Sequence, residues 1–344
     1  MTNLSRNILQ AILLSLATGL VQAQGMSPTV YGIMDVTVRH ASNATSSNSV
    51  GDGLYGGSRL GFKGGEDLGG GLRTSYVLEM GMDPSSGALQ QATPSANYGQ
   101  TAASAGRAFG RESWIGIGAS HWGQLTLGRQ YTLAHQAAGR VQAMGNPNLD
   151  AITVLSNHHL ARQDNLLKYT KDLGPVSLAA SVTLGEGSGR ASGLSATYSA
   201  GDLEAVLYGQ DLAAATGGEV RKIRGAGAAY QIAPGWKAFG AYMQRSHEVS
   251  RQRNQVTTLG VNYQASPTLI LTGSASSDRQ SAFGSTAAGT RRVVWVSADY
   301  YLSKRTDIYV AVDHNKIDGG YVQPAFMRVR GAQTGVTAGV RHRF

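Results

Sequence analysis

The sequence contains no cysteine, so no disulfide framework supports its fold, and only eight prolines interrupt 344 residues that could otherwise pair in ladders. A net charge of +9 is present without any run of five or six basic residues, which argues against a nucleic-acid-binding arm. Past the first two dozen residues, no apolar run approaches the ~20 residues needed for a membrane-spanning helix. That absence does not exclude a membrane, because a transmembrane β-barrel hides its lipid-facing residues at every second position. What is plentiful fits strands and turns: there are 46 glycines, and the aromatics lean to tyrosine (15, against 6 phenylalanines and 4 tryptophans). Tyrosine combines an apolar ring with a polar tip, the combination that suits a membrane interface.

The first residues resemble an export signal. Arg6 stands in a short polar start, Ile8 to Leu20 form a compact apolar run, and Val21-Gln22-Ala23 offers small residues for cleavage. The expectation is a signal peptide over 1–23 and a mature barrel domain over 24–344.

From there the chain alternates. Val30, Gly32, Met34, Val36 and Val38 share one face of a strand, while Tyr31, Ile33, Asp35, Thr37 and Arg39 share the other. The same period predicts sixteen strands, running from 29–39 and 58–65 through a fourth at 107–119 to a last at 334–344. Short turns such as Glu66–Gly70 and Ser120–Gly123 alternate with long connections at about 40–57, 82–106, 131–162, 185–190, 211–220, 247–253, 278–291 and 316–333. Tight turns at one end and long loops at the other are the layout of an outer-membrane barrel. The fold class expected is therefore all-β, a 16-stranded antiparallel transmembrane β-barrel. Sixteen strands enclose an aqueous channel rather than a packed core. The longest insertion, 131–162, mixes Leu133, Ala134, Ala137, Ala138, Val141 and Met144 with Gly145, Asn146, Pro147 and Asn148, and is expected to fold inward and narrow the pore.

Charges cannot face lipid cheaply, so Arg59, Lys63, Arg73, Glu79, Arg162, Asp164 and Lys168 are placed in the lumen, together with Asp35. Arg129 shares parity with Leu125 and Leu127 and would face lipid unless Gly128 lets the strand bulge. The inserted loop carries His135, Arg140, His158 and His159 against one acid, Asp150, an imbalance that would focus positive potential at a narrow opening.

Several blocks then point to one family. Val30-Tyr31-Gly32 with Asp35, SRLGFKGGEDLGGGL from Ser58, GRESWIGI from Gly110, WGQLTLGRQ from Trp122, RQDNLLKY from Arg162 and the terminal Phe344 resemble the trimeric general porins of Gram-negative outer membranes, in particular their β-proteobacterial branch. The resemblance implies a homotrimer in the outer membrane, in contact with its lipids and lipopolysaccharide, that passively admits small hydrophilic solutes and anions and has no cofactor. It also implies a basic ladder of Arg59, Arg129 and Arg162, with Lys63 beside it, and gives Phe344 the role of terminal aromatic read by the outer-membrane assembly machinery. The constriction loop departs from cation-preferring members by having one acid rather than a cluster, which favours anions.

Three other readings fit parts of the sequence. A substrate-specific anion channel, for phosphate or an organic acid, shares the fold. An outer-membrane barrel enzyme could draw on His121, His158, His159, His247 and His314, but no HExxH pattern joins them. An envelope anchor could use Arg245, Arg251 and Arg253 against lipid phosphates.

Overall fold

In hydrocarbon every backbone N–H and C=O must find a partner inside the protein, and a sheet meets that demand only by closing. The computed structural model describes residues 25–91, 98, 100, 106–185 and 187–344. It shows a closed, antiparallel 16-stranded barrel. The signal peptide expected at 1–23 lies outside the described residues.

The strands are β1 (Gly25–Ser42), β2 (Arg59–Gly69), β3 (Leu72–Met82), β4 (Glu112–Ala119), β5 (Gly123–Tyr131), β6 (Arg162–Leu173), β7 (Val176–Thr183) and β8 (Arg190–Ala200) in the first half. The second half holds β9 (Leu203–Ala213), β10 (Val220–Ala233), β11 (Trp236–His247), β12 (Arg253–Ser266), β13 (Leu269–Gln280), β14 (Gly289–Tyr301), β15 (Thr306–Gly319) and β16 (Ala332–Arg343). The sheet closes where Ile33–Ser42 of β1 pairs with Thr334–Arg343 of β16. Gly32 and Phe344 exchange both backbone hydrogen bonds, at 3.0 and 3.1 Å, so the last residue completes the ring.

The two faces separate as the alternation requires. Val30, Val38, Leu194, Leu207, Leu259, Val294, Val310 and Val340 are largely exposed on the outer wall, a distribution suited to lipid. Tyr169, Tyr198, Tyr230, Trp236, Tyr300 and Phe344 are also exposed, each close to a short turn, and together they form an aromatic girdle at one interface.

Three sequence expectations need correction. The first long connection is not irregular throughout: Ser46–Asp52 pairs back onto the outer half of β1, and residues 53–58 then turn into the lumen, where Leu54 and Tyr55 are buried. The fourth strand starts at Glu112, not at 107, because Arg107–Arg111 is turn and coil whose arginines reach inward instead of pairing in the ladder. The insertion at 131–162 contains a helix, α1 (Leu133–Arg140), capped by Thr132 through its Oγ1 accepting from the His135 N–H, and a single 3-10 turn at Ser156–His158.

That insertion folds inward, and the protein's principal hydrophobic core lies between it and the inner wall. Ala134, Ala137, Ala138, Val141, Ile152, Val154 and Leu155 pack against Val206, Tyr208, Leu212, Ile223, Met243, Val256, Val293 and Trp295 of β9 to β14. Close approach needs small residues in the wall: a Cβ on Gly227 would lie 2.6 Å from Val141, and one on Gly260 would lie 2.7 Å from Ala143. The loop is cinched at its base, where Thr132 N–H donates to Ala161 O (3.0 Å) and Thr132 Oγ1 to Leu160 O (2.9 Å). Its far end is held by Asn148, whose backbone N–H donates to Leu54 O (2.8 Å) and whose amide donates to Gly53 O (3.0 Å). Arg291 and Asn315 secure the same end through the carbonyl oxygen of Ala151, at 3.0 and 2.9 Å.

Gly128 is bulged at φ +124°, and the β5–β6 register shifts between Gly128 and Gln130. The shift releases Arg129 from the outward parity of Leu125 and Leu127 and lets it reach the lumen. A Cβ at Gly128 would meet Ser113 O at 2.2 Å. Gly128→Val is therefore expected to lower the urea unfolding free energy of the vesicle-refolded barrel by about 1–3 kcal/mol. Gly51→Val, where an added Cβ meets nothing within 4 Å, should leave it unchanged.

Candidate functional site in the barrel lumen

Between the base of the inserted loop and the wall formed by β2 to β6, arginines outnumber their partners. Arg59 and Arg111 converge on Glu79, at 3.9 and 2.6 Å, and Glu79 also accepts from Tyr31 OH (2.9 Å). Arg107 and Arg129 converge on Asp164, at 2.9 and 2.7 Å, and Arg129 Nε donates to Gly110 O (2.7 Å). Arg162 joins the first of these groups: its guanidinium lies 4.2 Å from the Tyr131 ring centre and bonds the Tyr131 hydroxyl, to which Arg111 also donates at 2.7 Å. Lys168 extends from β6 to Tyr131 O (3.2 Å) and Gln136 Oε1 (3.3 Å). A third carboxylate, Glu112, accepts from Trp114 Nε1 (2.9 Å). Five arginines and Lys168 thus line this wall beside Glu79, Glu112 and Asp164.

The other residues singled out in the sequence are dispersed. Lys63 sits four residues along β2 from Arg59, exposed, with its ammonium 5.1 Å from the Tyr31 ring. Arg73 lies at the β2–β3 turn, exposed and 3.7 Å from Asp67, away from the basic wall. Arg140, at the end of α1, pairs with Glu204 on β9 at 2.5 Å. Asp150 is exposed, and its carbonyl accepts from Arg291 at 2.9 Å. Asp35 is fully buried, receiving the Gly56 N–H (3.2 Å) and the Tyr309 hydroxyl.

The loop histidines do not add positive charge, contrary to the expectation from the sequence. Burial pushes His135 down to about 3, and Arg162 and Arg111 push in the same direction. Burial likewise holds His158 below its ordinary range, although Asp278 lies 2.7 Å from its Nε2 and opposes the shift. His159 is held well below it by burial, packed edge-on to Tyr208 with ring centres 5.4 Å apart. The loop therefore contributes neutral imidazoles, and the fixed positive charge comes from arginine and lysine.

Arg107, Arg111 and Tyr131 escaped the sequence reading. Assigning 107–119 to a strand gave Arg107 and Arg111 the parity of Ser113 and Ile115, and Ile115 faces lipid. The signal was the Gly106 and Gly110 pair flanking them, which breaks a strand. The histidines considered for catalysis are scattered: His121 is in a turn, His314 on the outer face, His247 at the outer end of the lumen, and His158 and His159 in the loop. Among the described residues, no three His, Asp or Glu side chains are grouped to hold a metal. Arg245, weighed as an anchor to lipid phosphates, points inward with Met243 rather than outward with Tyr242.

The geometry has known counterparts. An anion-selective porin from Comamonas acidovorans has the same fold, with a TM-score of 0.77 at 21% identity over 93% of this chain and 100% of the other. OmpT of Vibrio cholerae superposes with a TM-score of 0.68 at 12% identity, over 92% of this chain and 97% of its own. In sequence, an outer membrane porin protein of Bordetella pertussis is 30% identical over 186 residues, a match that spans 48% of this chain and less than half, 44%, of that protein. A profile of the Gram-negative porins matches residues 11–320, and with that coverage the chain belongs to the Gram-negative porin family.

Proposed function

We propose that the barrel is a passive outer-membrane diffusion channel for small hydrophilic solutes and ions, with a modest preference for anions, working as a homotrimer. The loop at 131–162 sets the aperture, and Arg59, Arg129 and Arg162, with Lys63 further along β2, set the charge. The observation that carries this reading is the wall on which four arginines share Glu79 and Asp164 while Arg162 packs on Tyr131, facing a loop whose histidines are neutral. Paired charges in a confined, partly desolvated lumen still leave a net positive field, which concentrates anions and excludes cations. The Comamonas relative is named as anion-selective, and a trimer form of Vibrio OmpT is known; both accord with this reading.

Charge reversal tests the ladder directly. Arg59→Glu with Arg129→Glu should shift the zero-current potential under a KCl gradient toward cation selectivity; an unmoved potential would remove these residues from the selectivity mechanism. Deleting 140–150 should raise single-channel conductance, because it removes the segment spanning from α1 to the Asn148 tether.

The histidines give a pH dependence of known sign. Their folded pKa values lie below the unfolded value of about 6.5, so their neutral, buried forms cost nothing above that pH. As pH falls below about 6.5 toward the value near 3 of His135, protons bind the unfolded chain in preference and stability is lost. Urea midpoints should therefore fall from pH 7 to pH 4, and less steeply in a variant with Gln at 135, 158 and 159.

A further inference from the structure

Some lumen arginines outside the basic wall have an acid of their own: Arg39 is 2.8 Å from Asp313, and Arg341 is 2.8 Å from Asp307 and 3.1 Å from Asp299. Arg291 is engaged by loop carbonyls and Asn315. Arg221 on β10 and Arg245 on β11 differ. Both face inward at the long-loop end, on the wall opposite β2 to β6, and neither meets a carboxylate among the described residues. Arg245 Nη2 donates to Asn254 Oδ1 (2.7 Å), and the Arg221 guanidinium lies 4.2 Å from the Tyr98 ring centre. The Nε of each is buried and has no hydrogen-bond partner, as do His247 Nε2 and Gln210 Oε1 nearby.

Register brings them together. Arg221 stands opposite His247, and Arg245 is two residues before His247 on the same face, so the two arginines are diagonal neighbours about 7–8 Å apart at the backbone. The nearest acids are committed elsewhere. Asp278 accepts from Tyr321 OH (2.5 Å) and Asn254 Nδ2 (2.9 Å) and contacts His158. Glu219, 3.7 Å from His247 Nδ1, accepts the backbone N–H groups of Val249 and Ser250 at 3.0 Å each.

We infer that Arg221 and Arg245, with His247 and the Tyr98 ring, form a binding subsite in the outer vestibule for small organic acids carrying two carboxylates. Partly buried guanidinium groups without an acid are costly to maintain, and an incoming carboxylate supplies the missing acceptor. Guanidinium forks match carboxylates in a planar, two-bond geometry, and the diagonal spacing lets one short diacid engage both. The subsite lies at the long-loop ends of β10 and β11, beside the inserted loop, to which Asn254, Asp278 and His158 connect it. It adds to the channel reading, on which it rests, a capture step with a saturable affinity.

The test is current through single trimers in a planar bilayer in KCl, with succinate added to either side in turn. Saturable reduction of the chloride current is expected from one side. In Arg221→Gln/Arg245→Gln the half-saturating concentration should rise about tenfold or more, equivalent to losing about 1.4 kcal/mol. Arg221→Lys/Arg245→Lys, which keeps the charges without the forks, should fall between. Conductance steps in KCl report that each variant barrel is assembled. An unchanged half-saturation in the Gln variant overturns the subsite. Absence of conducting steps in the wild-type protein would instead overturn the channel reading, and the subsite with it.

Discussion

Closure of the backbone hydrogen-bond ring is the constraint on which everything else in this molecule depends. Until β16 pairs with β1, two strand edges remain unsatisfied, and hydrocarbon offers them no substitute partner. The ring also explains why the chain needs neither cysteine nor a conventional interior. Its apolar side chains are free to face outward, as Leu194, Leu207 and Leu259 do, because the lipid rather than a packed centre receives them.

A barrel this wide would be hollow, and the protein fills part of it with its own chain. The core is off-centre, built where one face of the inserted loop meets the inward residues of β9 to β14. Fully burying residues such as Leu155, Ile223 and Met243 contributes about 1.5–3 kcal/mol each, so the loop is held by apolar contact along its length and by hydrogen bonds at its ends. The opposite side of the lumen is left polar. Arginines, carboxylates and Tyr131 there form a network that is electrostatically unbalanced yet geometrically fixed, because Glu79 and Asp164 each orient more than one donor.

Much of this was legible in the sequence, because period-two alternation and the contrast between short turns and long loops are local signals. They placed most strands within a few residues and marked Arg59, Arg162 and Lys168 as inward. What was not legible depended on breaks in the period. At Gly128 alternation alone pointed Arg129 the wrong way, and the bulge restores it. At 107–111 the strand was extended through residues whose job is to turn inward. Leu133, Ala134, Ala137, Ala138 and Val141 follow a helical spacing after Thr132, a pattern hidden by the glycines and proline that follow. The neutrality of the histidines was invisible for another reason: it arises from burial in the folded lumen, with His158 against Asp278 of β13 and His159 against Tyr208 of β9, and composition registers only their number.

The way the loop is anchored ties the aperture to the order of assembly. Its base belongs to β5 and β6, but its far end is gripped by Arg291 of β14 and Asn315 of β15, and by the turned-in segment after β1. Arg291 and Asn315 lie 140 and 164 residues from Ala151, and Gly53 lies 95 from Asn148, so these contacts carry the entropic cost of long loop closures. Hairpins can zip locally while the lumen is still unpartitioned. The narrowed opening then comes into being as the sheet becomes a cylinder, so that a barrel competent to conduct is also one already equipped to discriminate.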